Sequence, residues 1–318
     1  SGSIGALVAP FTKGPVEEPQ LIESEEDLLQ TFGQPYSIDN HYEYWMVASS
    51  FLAYGGTMQV IRADDFNTQT GVGLKNAFVG AATSIRIKSD THYNQLGYDD
   101  NTITGVTVAS KTPGTYANGI RVAIIDAKAD QVLTVSGIST VGLGVTQSAA
   151  GRIVAGAGGT SVLDGYIKGI VTEIGSGTIS VKTLAHVSTA GTVTNVNYQN
   201  GGVYNFTTGN ISASAAGTNV GGTPQSVTAA TDWFEQQNIV LTQTDTNGNP
   251  ISLEWDQLAD APGTSSYVGA RGGRFDELHV VVIDDKGTIT GNAGTILEKH
   301  LNLSKAKDAE YSVGSTAY

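Results

Sequence analysis

The sequence predicts an α+β, multidomain protein in which an α/β core domain is split by long β-rich insertions of sandwich or barrel type. Three observations predict this. Residues 1–64 alternate strand-like and helix-like patterns. The stretch that follows becomes rich in Gly, Thr, Ser and Val, in short alternating runs. After Arg271-Gly272-Gly273 the α/β pattern returns. The expected division is 1–64 with 274–318 as the split core, 65–131 with 232–273 as a β-rich middle domain, and 132–231 as an outer β domain.

Ile4, Ala6, Leu7, Val8 and Phe11 suit a mostly buried first strand. Lys13 to Pro19 is a turn-rich connection. Ser24 can N-cap a helix, with Asp27 three residues on and Glu25, Glu26 and Asp27 in the first turn, where the helix dipole favours anions. Leu28, Leu29 and Phe32 give that helix an apolar face, Gly33 can take the C′ position, and Pro35 prevents continuation. A second helix starts near Asn40; Tyr44, Val47, Ala48, Phe51 and Leu52 follow core-facing helical spacing. Gly55-Gly56 ends it, and Met58 to Ala63 is the returning strand. The order helix, glycines, strand is the reverse of a phosphate loop, in which the glycines lead into a helix N-terminus. The pair therefore reads as a C-cap and tight turn, and Asp64-Asp65 as the border of the core domain.

Residues 66–130 read as β-rich, with Ile120 to Asp126 as a buried strand. From Gln131 to Ala230 the 100 residues hold 18 glycines and only five charges, Arg152, Asp164, Lys168, Glu173 and Lys182. Short alternating runs between glycine turns predict an all-β fold, and abundant Val, Ile and Thr with few charges is unlike a disordered segment. Glu277 to Asp285 reads as a strong strand. Asn292 to Ala306 reads as a helix, with Ile296, Leu297, His300, Leu301 and Leu303 near one side.

The chain of 318 residues carries a net charge of −13, which disfavours nucleic acid and anionic membranes, because binding phosphates needs a basic face. It has no cysteine, so disulfides, thiolate metal sites and cysteine nucleophiles are excluded together. No apolar run approaches the roughly 20 residues that span a bilayer. The chain opens on an apolar strand without Met and ends without a stop signal, and is expected to be truncated at both ends.

Candidate sites reduce to structural readings. Gly151 to Ser161 lacks the Gly-Lys-[Ser/Thr] ending of a phosphate loop and reads as a flexible β-turn. Asp284 to Gly294 has Lys286 where a calcium loop needs an oxygen ligand, and reads as a strand-to-helix loop. His41, His92, His186, His279 and His300 are too far apart in sequence for a local metal motif, and His279 reads as a structural histidine. Asp64-Asp65 and Asp284-Asp285 would gather four carboxylates if their strands were neighbours; solvated strand ends are the plainer expectation. Residues 1–64 hold nine acids against Lys13 and Arg62. That surface is either solvated or a patch for a basic neighbour. No catalytic, cofactor or metal residue is predicted.

Five strings, taken in order, resemble one family: FTKGPVEEPQLIESEEDLLQTFGQP, YEYWMVASSFLAYGGTMQVIRA, KTPGTYANGIRVAIIDAKADQ, APGTSSYVGARGGRFDELHVVVIDDKGTITG and TILEKHLNLSKAKDA. Together they resemble the tail sheath proteins of contractile-tailed, T4-like bacteriophages, and a cyanobacterial phage is one source the resemblance suggests. It covers about 1–64, 105–131 and 232–310; the stretch 132–231 is unmatched. The resemblance implies a structural, non-enzymatic virion subunit without cofactor, made in the host cytoplasm. Such subunits form stacked hexameric rings around a tail tube and contract to drive penetration and genome ejection. Implied partners are neighbouring sheath subunits, the tail tube protein, and baseplate and tail terminator proteins, with no direct nucleic acid contact and no membrane insertion. Family members carry arms at both ends that add strands to a neighbour's sheet; this chain lacks them, so a fragment is expected. The alternatives are the sheath of a related contractile injection system, a surface adhesin or glycan-binding module using Tyr198, Tyr204 and Phe206, and a hydrolase built on the strand-end carboxylates.

Overall fold

The computed structural model describes residues 4–35, 41–96, 104–156, 159–196, 202–213, 219–220, 234–235, 237–312 and 315–316. The chain divides into two compact units, one of Ser1–Val122 with Val282–Leu297, the other of Ala123–Val281 with Glu298–Tyr318. The architecture is α+β, with helices few and strands many.

The first unit opens with β1 (Ile4–Ala9), β2 (Gln20–Ile22), α1 (Glu25–Phe32), α2 (His41–Ala53) and β3 (Thr57–Arg62). The sheet order is β1-β3-β2, with β1 parallel and β2 antiparallel to β3. Both helices pack on one face. Leu28 and Phe32 of α1 and Trp45, Ala48 and Leu52 of α2 enclose Ala9, Phe11, Ile22, Met58 and Val60. The expected burial of β1 is therefore only half right: Ile4 is 77% and Val8 65% exposed, because among the described residues the helices cover one face of the sheet alone.

Local chemistry sets the helix ends. Ser24 Oγ accepts from the Asp27 amide at 3.1 Å. Gly33 has φ 80° and donates its N–H to Leu29 O at 2.9 Å, closing α1 through a backbone that favours glycine. The glycine pair after α2 divides its work. Gly55 takes φ 77° and donates to Leu52 O. Gly56 leaves room for a ring, since a Cβ there would lie 2.4 Å from Phe51 Cε1. The predicted stripe on α2 needs correction: Trp45, Ala48, Ser49 and Leu52 face inward, whereas Tyr44 and Val47 are exposed. The helix is apolar on nearly every side, so spacing alone fits two stripes.

Next come β4 (Phe78–Gly80), α3 (Asp90–Gln95), β5 (Val106–Ala109) and β6 (Ile120–Asp126). β4 and β5 form an antiparallel pair. α3 was not expected in a β-rich stretch; Ser89 caps it by accepting from the His92 amide at 3.2 Å.

The second unit contains β7 (Gln131–Thr134), β8 (Gly144–Ser148), β9 (Ile153–Gly156), β10 (Gly159–Val162), β11 (Tyr166–Gly175), β12 (Thr178–Val187), β13 (Val193–Asn195), β14 (Ile211–Ala213) and β15 (Asn219–Val220). Seven of these make one antiparallel sheet, ordered β13-β12-β11-β8-β14-β15 with β7 also on β12. Gly175 pairs with Thr178 around a Ser176-Gly177 turn in which Gly177 has φ 72°, the positive φ that tight hairpins require. Leu133, Val145, Ile167, Val171, Ile179, Val181, Phe206 and Ile211 build its core. Of the stretch Gly151 to Ser161, expected to be a flexible β-turn, the described residues lie mostly in the antiparallel strands β9 and β10, and 157–158 lie outside the described residues.

The chain continues through β16 (Asn238–Thr244), β17 (Pro250–Glu254), α4 (Trp255–Leu258), α5 (Ser266–Gly269), β18 (Glu277–Asp284), β19 (Thr295–Ser304), β20 (Glu310–Ser312) and β21 (Ser315–Thr316). β19, β18 and β6 form a three-stranded sheet in that order, and the division between the units falls within each of these strands. The helix expected over Asn292 to Ala306 is thus a strand. Leu297, Leu301 and Leu303 fit a period of two as well as a helical stripe, and pairing with β18 decides between them.

Candidate functional site

In the first unit several backbone carbonyls converge on Arg62, the last residue of β3. Its side chain is 2% exposed. Nε donates to Phe11 O at 2.8 Å, Nη1 to Gly14 O at 2.9 Å and Pro113 O at 2.5 Å, and Nη2 to Thr12 O at 3.1 Å. The planar fork suits this arrangement of carbonyls, which a lysine could not satisfy. The loop must curl tightly to present them. Gly14 has φ 101°, and a Cβ there would lie 2.6 Å from Thr31 O, so both conformation and space demand glycine. Burial lowers the pKa of the neighbouring Lys13. Trp45 Nε1 donates to Gly33 O at 3.0 Å, tying α2 to the end of α1. The Lys13-Gly14-Pro15 loop, the Phe32-Gly33 cap and Arg62 are thereby one structural node. These residues recur within the sequence strings quoted above, but nothing local there shows that Arg62 holds the loop; its position among apolar strand residues is the one signal.

The strand-end carboxylates are ties within the fold. Asp64, expected to be solvated, has a side chain only 8% exposed and pairs with Arg86. Arg86 also reaches Glu17 at 3.3 Å, and Lys88 pairs with Glu17. The Lys88 hydrogen bond, and then the charges of Lys88 and Arg86, outweigh burial and hold the Glu17 carboxyl below its ordinary range. Asp65 accepts from the Leu74 amide. Asp284 and Asp285 are buried, not solvated. Asp284 Oδ2 accepts from the amides of Ile289 and Thr290 and from Thr290 Oγ1; Asp285 pairs with Arg121 at 2.9 Å. β3 and β18 belong to different sheets, so the four carboxylates do not share a strand end. The loop after Asp284 runs strand to strand, and Asp284 folds it back on itself.

In the second unit, Asp276 accepts from the amide and hydroxyl of Ser265 at 2.8 and 2.7 Å and from the Ser304 hydroxyl. Burial alone would raise its pKa, but these donors prevail and lower it. Lys182 donates to Asp126 O and to Lys128 O and lies 3.6 Å from Asp130. Burial is the largest influence on both partners, lowering the pKa of Lys182 and raising that of Asp130. His279 is fully buried. Its Nδ1 accepts from the Asn302 amide at 3.0 Å, which leaves Nε2 to carry the proton toward Asp260 O at 2.8 Å; this is the structural histidine that its place in an apolar strand predicts. Phe206 is buried and Tyr204 packs against the same core, so these two do not form an open stacking platform; Tyr198 lies outside the described residues. Among the described residues no three His, Asp or Glu converge as metal ligands, and no helix is long and apolar enough to cross a membrane.

One stretch of 68 residues is 38% identical to the tail sheath protein of Enterobacteria phage T4. It covers 21% of this chain and 10% of that protein. No family model matches.

Proposed function

We propose that this chain is part of a structural subunit of a phage contractile tail sheath. The observation that carries this reading is the 38% identity to a tail sheath protein over 68 residues. In this role the subunit assembles with copies of itself as stacked hexameric rings around a tail tube. Contraction of the rings drives the tube into the host and leads to genome ejection. The tail tube, baseplate and tail terminator proteins are the other partners, and the protein resides in the virion. The function is mechanical: it uses no cofactor and performs no catalysis. The charged contacts described above serve this role as fixed ties within each unit.

Negative-stain microscopy of the full-length protein tests the reading. Tubes with six-fold striations are the expected result. Monodisperse monomers at every salt concentration would overturn it. The same tubes obtained from a cellular injection system, with no phage genome nearby, would redirect the assignment to that related class of sheath.

A further inference from the structure

A half-open cavity of about 630 Å³ lies in the first unit and meets every residue from Val106 to Lys111. Successive side chains of a strand point to opposite faces, so a cavity over one face would meet every second residue. Contact with six in a row places this one along the edge of β5 and the two residues after it. That is the edge β4 leaves open. Ser110 donates its N–H to Ala77 O at 2.9 Å, on the β4 side. Phe78 pairs with Ala109 and Val79 with Val108, so the alternation of the ladder turns the N–H and C=O of Ala109 away from β4. Among the described residues no strand pairs with that edge. Across the cavity α3 contributes Asp90, Tyr93 and Asn94, whose spacing puts them on one face of the helix. Ile85 and Ile87, both buried, give the cavity an apolar base.

The groove is built before anything enters it. Asn76 is buried, and its Nδ2 donates to Ile87 O at 3.1 Å and to Ser110 O at 2.7 Å, while its Oδ1 accepts from the Ile87 amide at 2.7 Å. One side chain thus pins the apolar base to the strand wall, and a preformed site spares a ligand the cost of ordering it. The open edge identifies the occupant. Strand-edge N–H and C=O groups are satisfied by another extended backbone. Four residues of strand measure about 13 Å along the chain, about 4.8 Å in the pairing direction and about 10 Å through their side chains, roughly 600 Å³ in all. The cavity therefore holds one strand, with α3 behind it and no room for a second. Each of the 21 described strands of this chain already has a strand partner. Bringing one of them in from another copy would drive its partner strand against α3, so the occupant is an unpaired segment.

We infer that the groove between β5 and α3 binds a lone extended segment of a different protein, which adds one strand to β5 and sets apolar side chains on Ile85 and Ile87. Backbone pairing supplies the affinity and the alternate side chains supply the selectivity. Asp90 and Lys111 both line the groove, so a segment carrying one cation and one anion meets a partner for each. The groove stands on its own geometry and does not rest on the sheath reading; copies that assemble as a sheath do so through other surfaces.

The test titrates the full chain with two labelled peptides, Lys-Val-Thr-Val-Thr-Val-Glu and its reversed sequence, which cover both strand directions. At least one is expected to bind. In an extended peptide the Val and Thr amides point to opposite edges. Methylating the nitrogens of one set or the other keeps every side chain and blocks one edge, and the two methylated forms should differ in affinity by about tenfold or more, since several backbone hydrogen bonds are lost on one edge alone. Ala109→Pro removes the N–H that faces the groove and none that faces β4, a place where an edge strand accepts proline; binding should fall by about three- to tenfold. Asn94→Trp, at an exposed position of α3, fills the groove and should abolish binding while the thermal midpoint stays that of the parent. Val162→Ser, at an exposed position of the other unit, should leave affinity intact. No binding of either peptide at about 1 mM, weaker than specific recognition requires, would overturn the inference. So would equal affinity of the two methylated forms, undiminished binding by Asn94→Trp, or a self-association of the parent in sedimentation that Asn94→Trp dissolves, which would give the groove to a second copy.

Discussion

Arg62 shows how much of the first unit depends on one side chain. Four carbonyl oxygens, from Phe11, Thr12, Gly14 and Pro113, converge on its guanidinium. Arg62→Met keeps the apolar stem and removes every donor, leaving those oxygens with no equivalent partner. Each unsatisfied buried acceptor costs about 1–3 kcal/mol, so a total loss of at least about 3 kcal/mol is expected in urea unfolding. Arg62→Lys should recover only a minor part, since one ammonium cannot reach four positions. A loss under about 0.5 kcal/mol, the range of ordinary surface substitutions, would remove Arg62 from its central place. Asp276 makes a different prediction, one that depends on pH. Its folded pKa lies below the ordinary value because Ser265 and Ser304 donate to the ionised form. The unfolded chain therefore binds its proton more readily. The stabilisation is full above the ordinary aspartate range and is lost as pH falls through the lowered pKa. Asp276→Asn should cost about 1–3 kcal/mol at neutral pH and flatten that acid limb. An unchanged acid limb in the variant would show that the destabilisation at low pH arises elsewhere.

The two glycines after α2 look equivalent in the sequence and are not equivalent in the fold. Gly55 serves the backbone, with φ 77° and nothing within 4 Å of an added Cβ. Gly56 serves packing, with Phe51 Cε1 at 2.4 Å from that position. Gly55→Ala should cost about 1–2 kcal/mol, the penalty of a left-handed conformation. Gly56→Ala should cost about 1–3 kcal/mol from overpacking. Adding Phe51→Ala separates the two causes: it should relieve Gly56→Ala and leave the Gly55→Ala penalty untouched, as read from a double-mutant cycle. Equal coupling at both positions would contradict this division. The same elements show what the sequence made legible. The caps at Ser24 and Gly33 and the break at Gly55-Gly56 were readable because each rests on contacts within a few residues. The stripe on α2, the exposed side of β1 and the strand β19 were not. Each is decided by which partner covers the segment, and an apolar run such as Tyr44 to Phe51 or Ile296 to Leu303 is compatible with more than one answer. Asp64 and Asp285 were misread as solvated for the same reason, since Arg86 and Arg121 lie far from them in sequence; the partners of Asp284 are Ile289 and Thr290, in the loop that follows it.

At the scale of the whole molecule, the glycine- and threonine-rich stretch answers to its own core. Leu133, Val145, Ile167, Ile179, Val181, Phe206 and Ile211 all lie between residues 131 and 213, and every pairing of the seven-stranded sheet is made within 131–220. Lys182 is satisfied just outside it, by Asp126, Lys128 and Asp130. A stretch of about 110 residues is within the size at which a single core supports folding. Residues 123–237 expressed alone should therefore fold as an independent domain, with a β-type circular dichroism spectrum and one cooperative thermal transition. Starting the fragment at residue 131 removes Asp126, Lys128 and Asp130, two carbonyls and a carboxylate that face the buried Lys182 ammonium. That shorter fragment should be less stable by several kcal/mol, in line with the cost of breaking a buried charged contact, about 3–5 kcal/mol. Equal stability of the two fragments would mean that Lys182 finds water when its partners are gone. A longer fragment without a cooperative transition would place the stability of this sheet in the rest of the chain, and the low charge of the stretch would then reflect burial against other parts of the protein instead of a self-contained β core.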